Sequence, residues 1–98
     1  MTAKDFNTIQ TMFENEMKDK LINHMRKTIA NEIVIGNNKI KNEIKVGKKI
    51  ETMEKTAERI KTILDFMYDS DILDVETYRA EYDRLINWEI NKINRFHH

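Results

Sequence analysis

Not one proline interrupts this chain of 98 residues, and glycine occurs only twice, at Gly36 and Gly47. Proline and glycine are the residues that most often stop or bend a helix. A chain nearly free of both suits long helices with few obligatory breaks. The expected fold class is therefore all-α, a bundle of three main helices with an antiparallel αα-hairpin. At this length, residues 1–98 are expected to form one domain.

The first helix is expected from about Lys4 to Glu32. Ile9, Phe13, Met17, Leu21, Met25, Ile29 and Ile33 follow one another in steps of four residues. At about 100° per residue such a row turns around the helix, so its two ends stand roughly 120° apart. The two ends should then face different neighbours, as in a helix that touches two bodies, or a core and a partner chain.

The second helix has the most regular pattern. Val46, Ile50, Met53, Ala57, Ile60, Leu64 and Met67 alternate steps of four and three over three heptads, with Glu51, Glu54, Lys55, Glu58, Arg59 and Lys61 between them. Ile50, Met53, Ala57, Ile60, Leu64 and Met67 are the candidate oligomer seam. The same stripe would equally serve as the core side of an ordinary antiparallel bundle.

The third helix starts after Asp71-Ile72-Leu73, with Asp74 as N-cap and Glu76 in the first turn, where negative charge suits the helix dipole. Val75, Tyr78, Tyr82, Leu85, Ile86, Ile90, Ile93 and Phe96 form its apolar face, and Lys92 and Arg95 complement the opposite pole. The link from Tyr68 to Tyr78 is short enough to force an antiparallel hairpin. In residues 60–86 a helix end, a turn, two aliphatics, a capping residue and Glu76-Thr77-Tyr78 follow in order. This resembles a widespread short helical hairpin, of which SHOCT-type segments are a familiar example. The resemblance implies a way of building a hairpin and no activity. Asp71 stands where that turn usually opens on glycine.

Residues 31–47 fit two structures. Ile33-Val34-Ile35 is β-branched, Gly36-Asn37-Asn38 tolerates positive φ, and Ile40, Ile44 and Val46 would share one face of a strand, a pattern that predicts a short β-hairpin near 33–46. A helix restarting at Asn38 would put Lys39 and Lys41 in its first turn, where the dipole disfavours them. The alternative is a helical junction, since Ile40, Ile44 and Ile50 also fit a helical period.

Catalytic and metal-binding patterns are weak. His24 has no second histidine three or four residues away, so a helical zinc motif is missing. An EF-hand begun at Asp69 would need an oxygen ligand at Leu73, glycine at Asp74 and glutamate at Ala80. Capping accounts for Asp69, Asp71 and Asp74. Ser70 is the only serine, and neither glycine belongs to a phosphate loop. Glu14/Glu16 and Glu81/Asp83 are two apart and do not share a helix face. No enzyme activity, metal or cofactor is expected.

Without cysteine the chain has no disulfide, so self-association is the most economical supplement to a small core, and a homo-oligomer is expected. The same absence suits a reducing, cytoplasmic setting. Met1-Thr2-Ala3-Lys4-Asp5 leads into no signal-peptide pattern, and no apolar stretch approaches the length of a membrane span. The 14 Ile, 12 Lys and 10 Asn point to an AT-rich gene of a bacterium, phage or plasmid.

Charge balances at 17 basic against 17 acidic residues, but unevenly along the chain. Residues 36–50 hold Lys39, Lys41, Lys45, Lys48 and Lys49 against Glu43. Residues 65–83 hold Asp65, Asp69, Asp71, Asp74, Glu76, Glu81 and Asp83 against Arg79. The lysines fit a solvated surface, an acidic protein partner, or a nucleic acid or nucleotide. For the last they lack arginine and interleaved aromatics. Trp88 is the only tryptophan, placed for a helix–helix contact or, if exposed, for a binding hot spot. These features predict a protein–protein interaction module of the adaptor, inhibitor or regulator kind, with nucleic-acid or nucleotide binding through the lysines as the alternative.

Overall fold

The computed structural model describes residues 3–96, with side chains from Asp5 onwards; Met1, Thr2, His97 and His98 lie outside the described residues. It is an all-α, three-helix arrangement of α1 (Ala3–Asn42), α2 (Val46–Asp69) and α3 (Val75–Phe96). Three residues join α1 to α2 and five join α2 to α3, so consecutive helices run antiparallel. The central α2 packs against both of the others.

Among the described residues there is no strand, and the β-hairpin expectation near 33–46 gives way to the helical junction. The first helix runs ten residues beyond its expected end at Glu32. Two facts explain the difference. Continuing α1 to Asn42 places Lys39 and Lys41 in its last turn, where the dipole favours them. Gly36 serves as a contact residue inside the helix: a Cβ there would stand 2.7 Å from Thr56 Oγ1 and 2.8 Å from Thr56 Cγ2. Ile40, one turn further on, is buried on the same side.

The core is formed by Met25 of α1, Ala57, Ile60, Leu64 and Met67 of α2, Leu73 of the second link and Leu85 of α3. Ile22, Ile29, Ile33, Ile63, Ile72, Tyr78, Tyr82 and Trp88 pack around them. Met53, Ala57, Ile60, Leu64 and Met67, five of the six candidate seam residues, are thus buried within one chain. Ile50, the sixth, is half-buried at the end of the stripe. The stripe on α2 is the inner side of a bundle, and its side chains are occupied by α1 and α3.

The turn after α2 shows what the aspartate at position 71 does. Asp71 takes φ 60°, the left-handed conformation in which glycine is usual. Its N–H donates to the Tyr68 carbonyl at 3.0 Å, and the Ile72 N–H reaches back to the Met67 carbonyl at 3.0 Å. This is a Schellman closure, with Ile72 packed on the same core as Met67. Asp71→Gly, freed of the Cβ clash, is expected to raise the melting temperature by a few degrees, about 0.5–1 kcal/mol, in calorimetry. Three residues on, Asp74 caps α3 as the sequence predicts, its Oδ1 accepting the Thr77 N–H at 2.7 Å. That bond holds the Asp74 carboxyl below its ordinary pKa. A carboxylate depressed in the folded state adds stability above its unfolded pKa and loses it as pH falls through the folded value. In wild type, part of the stability should therefore fade on acidification below about pH 4, and Asp74→Asn should flatten that slope in acid-melting curves.

The dimensions are far from those of a sphere. The molecule extends 65 × 20 × 17 Å, with a radius of gyration of 18.0 Å, where a compact chain of this length would have about 13 Å. The excess length belongs to α1. Its residues from about 22 to 42 lie against α2, and residues 3–21 continue as an arm of roughly 28 Å, which passes the α2–α3 turn at Asn15, Lys18 and Asp19.

Candidate interaction surfaces

The arm carries a row of uncovered apolar side chains. Phe6, Ile9, Met12, Phe13, Met17 and Leu21 are between 43% and 66% exposed, although all are large and hydrophobic. Scattered apolar residues are ordinary on any surface, but a contiguous row along one helix marks a contact site. The four-residue row of the sequence is thus split by the fold. Met25, Ile29 and Ile33 meet the bundle core, and Ile9, Phe13, Met17 and Leu21 stay outside it, 43–64% exposed. The expectation that the two ends of α1 face different neighbours is met on the bundle side. Individually, the arm residues were absent from the candidate site residues read from the sequence. Their signal was the turning row itself.

At the opposite end the α1–α2 junction gathers the five lysines. Lys39 and Lys41 lie in the last turn of α1, Lys45 is the N-cap of α2, and Lys48 and Lys49 lie in its first turn. Four are exposed and Lys49 is half-buried. Lys48 contacts Glu51 at 3.4 Å, and Lys55 contacts the same carboxylate at 3.0 Å. The two ammonium groups pull the Glu51 carboxyl below its ordinary pKa. Ile44, 95% exposed, stands at the tip among the lysines. The acids sit at the other end, Asp69 closing α2 and Asp71 and Asp74 on the α2–α3 turn beside Asn15, Lys18 and Asp19 of α1. The charge separation read along the sequence is therefore also a separation in space.

A third feature is a groove of about 280 Å³ between α1 and α3, floored by Ile29, Ile33, Ile60 and Leu85. Trp88 lines it, half-buried, and its Nε1–H donates to Asn37 Oδ1 at 3.1 Å. That is the helix–helix role expected of it. Glu81 is 7% exposed and is held by Arg26 at 3.4 Å and Arg84 at 3.1 Å, which ties α3 to α1 across the groove. The sequence offered no sign of this burial, because Glu81 reads as one more acid of an acidic segment.

On the far side of α3 the hydroxyls of Tyr78 and Tyr82 both donate to Asp65 Oδ1, at 2.5 and 3.0 Å, and the Tyr68 and Tyr78 rings stack at 4.4 Å. Phenolate formation would break these bonds beside a carboxylate. The Asp65 bond thus raises the Tyr78 pKa strongly, and burial with the same carboxylate raises that of Tyr82. A group raised on folding adds stability below its unfolded pKa, so stability should fall once pH passes about 10, where unfolded tyrosine ionises. Absorbance titration should find these two tyrosines ionising late, and Asp65→Asn should bring the Tyr78 midpoint down. An unchanged midpoint would mean that the Asp65 bond is not formed in solution.

His24 is exposed on α1. Among the described residues no three His, Asp or Glu side chains are grouped to hold a metal ion, and no helix is long and apolar enough to cross a membrane. No family model, curated protein or solved structure matches the chain.

Proposed function

We propose that this chain is a non-enzymatic protein–protein interaction module of the adaptor, inhibitor or regulator kind, working in a reducing, cytoplasmic setting. The arm of α1 is its contact surface. The single observation that carries the reading is the exposed row Phe6, Ile9, Phe13, Met17 and Leu21 on a helix extending beyond its own bundle. An amphipathic helix presenting large apolar side chains at such spacing is a common way for one protein to hold another. The basic and acidic ends would steer and orient the encounter, adding more to rate and selectivity than to affinity.

A photoreactive benzoylphenylalanine in place of Phe13 tests this in cells expressing the protein. Irradiation should give a discrete protein adduct, and the same group at exposed Lys27 should give none. No adduct at position 13 would refute the reading.

The clustering of Lys39, Lys41, Lys45, Lys48 and Lys49 at one end favours a second reading, in which that end holds nucleic acid or a nucleotide. Lysine contacts to phosphate weaken steeply with salt and are blind to sequence. On the main reading, reversing Lys45 and Lys48 to glutamate leaves arm adducts in place. On the second, it abolishes binding to a fluorescent single-stranded oligonucleotide that wild type retains in low salt.

A further inference from the structure

We infer that the partner of the arm is a second copy of this chain, the two arms lying antiparallel and face to face about a two-fold axis. This rests on the reading of the arm as the contact surface and names its occupant.

Area is the first argument. The chain exposes 7432 Å², whereas a compact monomer of 11.8 kDa would expose about 5,900 Å². The surplus of about 1,500 Å² is spread round the elongated arm, and the share on its apolar face is of the order of the roughly 800 Å² per partner that a standard stable interface covers. Pairing the arms would cover the part of the molecule where that surplus lies.

Direction is the second. At about 100° per residue Phe13 stands roughly 140° around α1 from Gly36, the residue pressed against α2. Ile9 and Phe13, about 180° and 140° round, therefore look away from the side packed on α2, and Met17 and Leu21 turn back towards it at about 100° and 60°. The hairpin leaves the outer part of the row uncovered, with Phe6, Ile9 and Phe13 51–64% exposed, and this is where a second arm would lie. Antiparallel pairing also keeps the two bundles at opposite ends.

Helix physics is the third. None of the side chains of residues 5–21 belongs to the core or packs against it, and an isolated helix of that size is marginal in water. A facing apolar helix supplies the missing support. Charge does not oppose the pairing, because Lys18 and Lys20 are interspersed with Glu14, Glu16 and Asp19, so two like arms carry no strong field of one sign. The interface is isologous and closes at two copies. Joining the lysine end of one chain to the acidic turn of the next would be open-ended instead.

Sedimentation equilibrium and small-angle scattering on the full chain decide the matter. The expected result is a mass twice the 11.8 kDa of one chain, with a maximum dimension of about 100 Å set by two molecules of 65 Å overlapping along their arms. Phe13→Glu with Met17→Glu should weaken the dimer about 100-fold or more and leave the unfolding of the bundle cooperative. Ile90→Glu, on the exposed side of α3, should leave the dimer intact. A monomer at 0.5 mM, a dimer that survives the double change, a dimer no longer than one chain, or salt-sensitive open-ended assembly would each overturn the inference. The photocrosslinking test separates its failure from that of the broader reading. A wild-type monomer whose position 13 still traps another protein ends only the two-copy inference, and no adduct ends both.

Discussion

Leu64→Ala is expected to lower stability by about 3 kcal/mol, within the usual 2–5 kcal/mol for a leucine removed from a packed interior. Leu64 is 0% exposed and stands at the middle of the cluster that joins Met25 of α1 to Leu85 of α3 through α2. Three helices meet around it, so the cavity left by alanine cannot close by a small shift of one of them. The alternative role for this stripe, a seam between chains, makes a different prediction: Leu64→Ala would dissociate an oligomer and leave each chain nearly as stable. Calorimetry at fixed protein concentration, with the mass measured in parallel, separates the two. We expect a fall of roughly 12–24 °C in melting temperature with no change in mass at room temperature. The total stability of such a small domain is only about 5–15 kcal/mol, so the loss is a large share of it.

Gly36→Val should be comparably severe for the opposite reason. The Cβ introduced at position 36 falls 2.7 Å from Thr56 Oγ1, 2.8 Å from its Cγ2 and 3.2 Å from its Cβ. Rotation of the side chain would move the first two atoms, but Thr56 is 0% exposed and its hydroxyl donates to the Thr52 carbonyl at 2.9 Å. Its Cβ is fixed to the backbone, so α1 and α2 must separate. Overpacking of this kind costs about 1–3 kcal/mol for small additions, and valine adds more than alanine. Gly36→Ala is the finer probe. Alanine gains about 1 kcal/mol of helix propensity over glycine, yet the clash should still leave it destabilising. Combining it with Thr56→Ala should recover part of the loss, giving a non-additive cycle. Additive losses would mean that the two helices do not cross at these residues.

These two sites also show which parts of the fold were legible in the sequence. Leu64 belongs to a stripe whose alternation of four and three residues identifies α2 and its inner side unaided. Asp74 and Glu76 mark the start of α3 just as plainly. Gly36 was misleading because local signals there point to a turn: three β-branched residues precede it and two asparagines follow. What decides the matter is Thr56, twenty residues later, against which only a glycine-bearing helix can approach so closely. A tertiary contact overrides local preference, and no window of sequence contains both partners.

The candidate site was legible in a similar, partial way. A row stepping by four residues along α1 announces that its ends face different neighbours. Which end lacks a neighbour depends on the unequal lengths of α1 and α2, and so on where α1 stops. The lysines could be counted, but their gathering at one tip required residues 43–45 to form a tight, non-helical link between two antiparallel helices. The groove beside Trp88 depends on the spacing between two helices that are not consecutive. Glu81 is read as a surface acid until Arg26 is brought to it from α1.

Hydrogen exchange of the full chain, followed by mass spectrometry over a range of protein concentrations, tests the central claim most directly. The account predicts that amides in residues 5–21 exchange rapidly in dilute solution and become protected as concentration rises, with α2 protected throughout. Arm amides that exchange rapidly at every concentration, or protection that builds up in α2 or α3 instead, would contradict it.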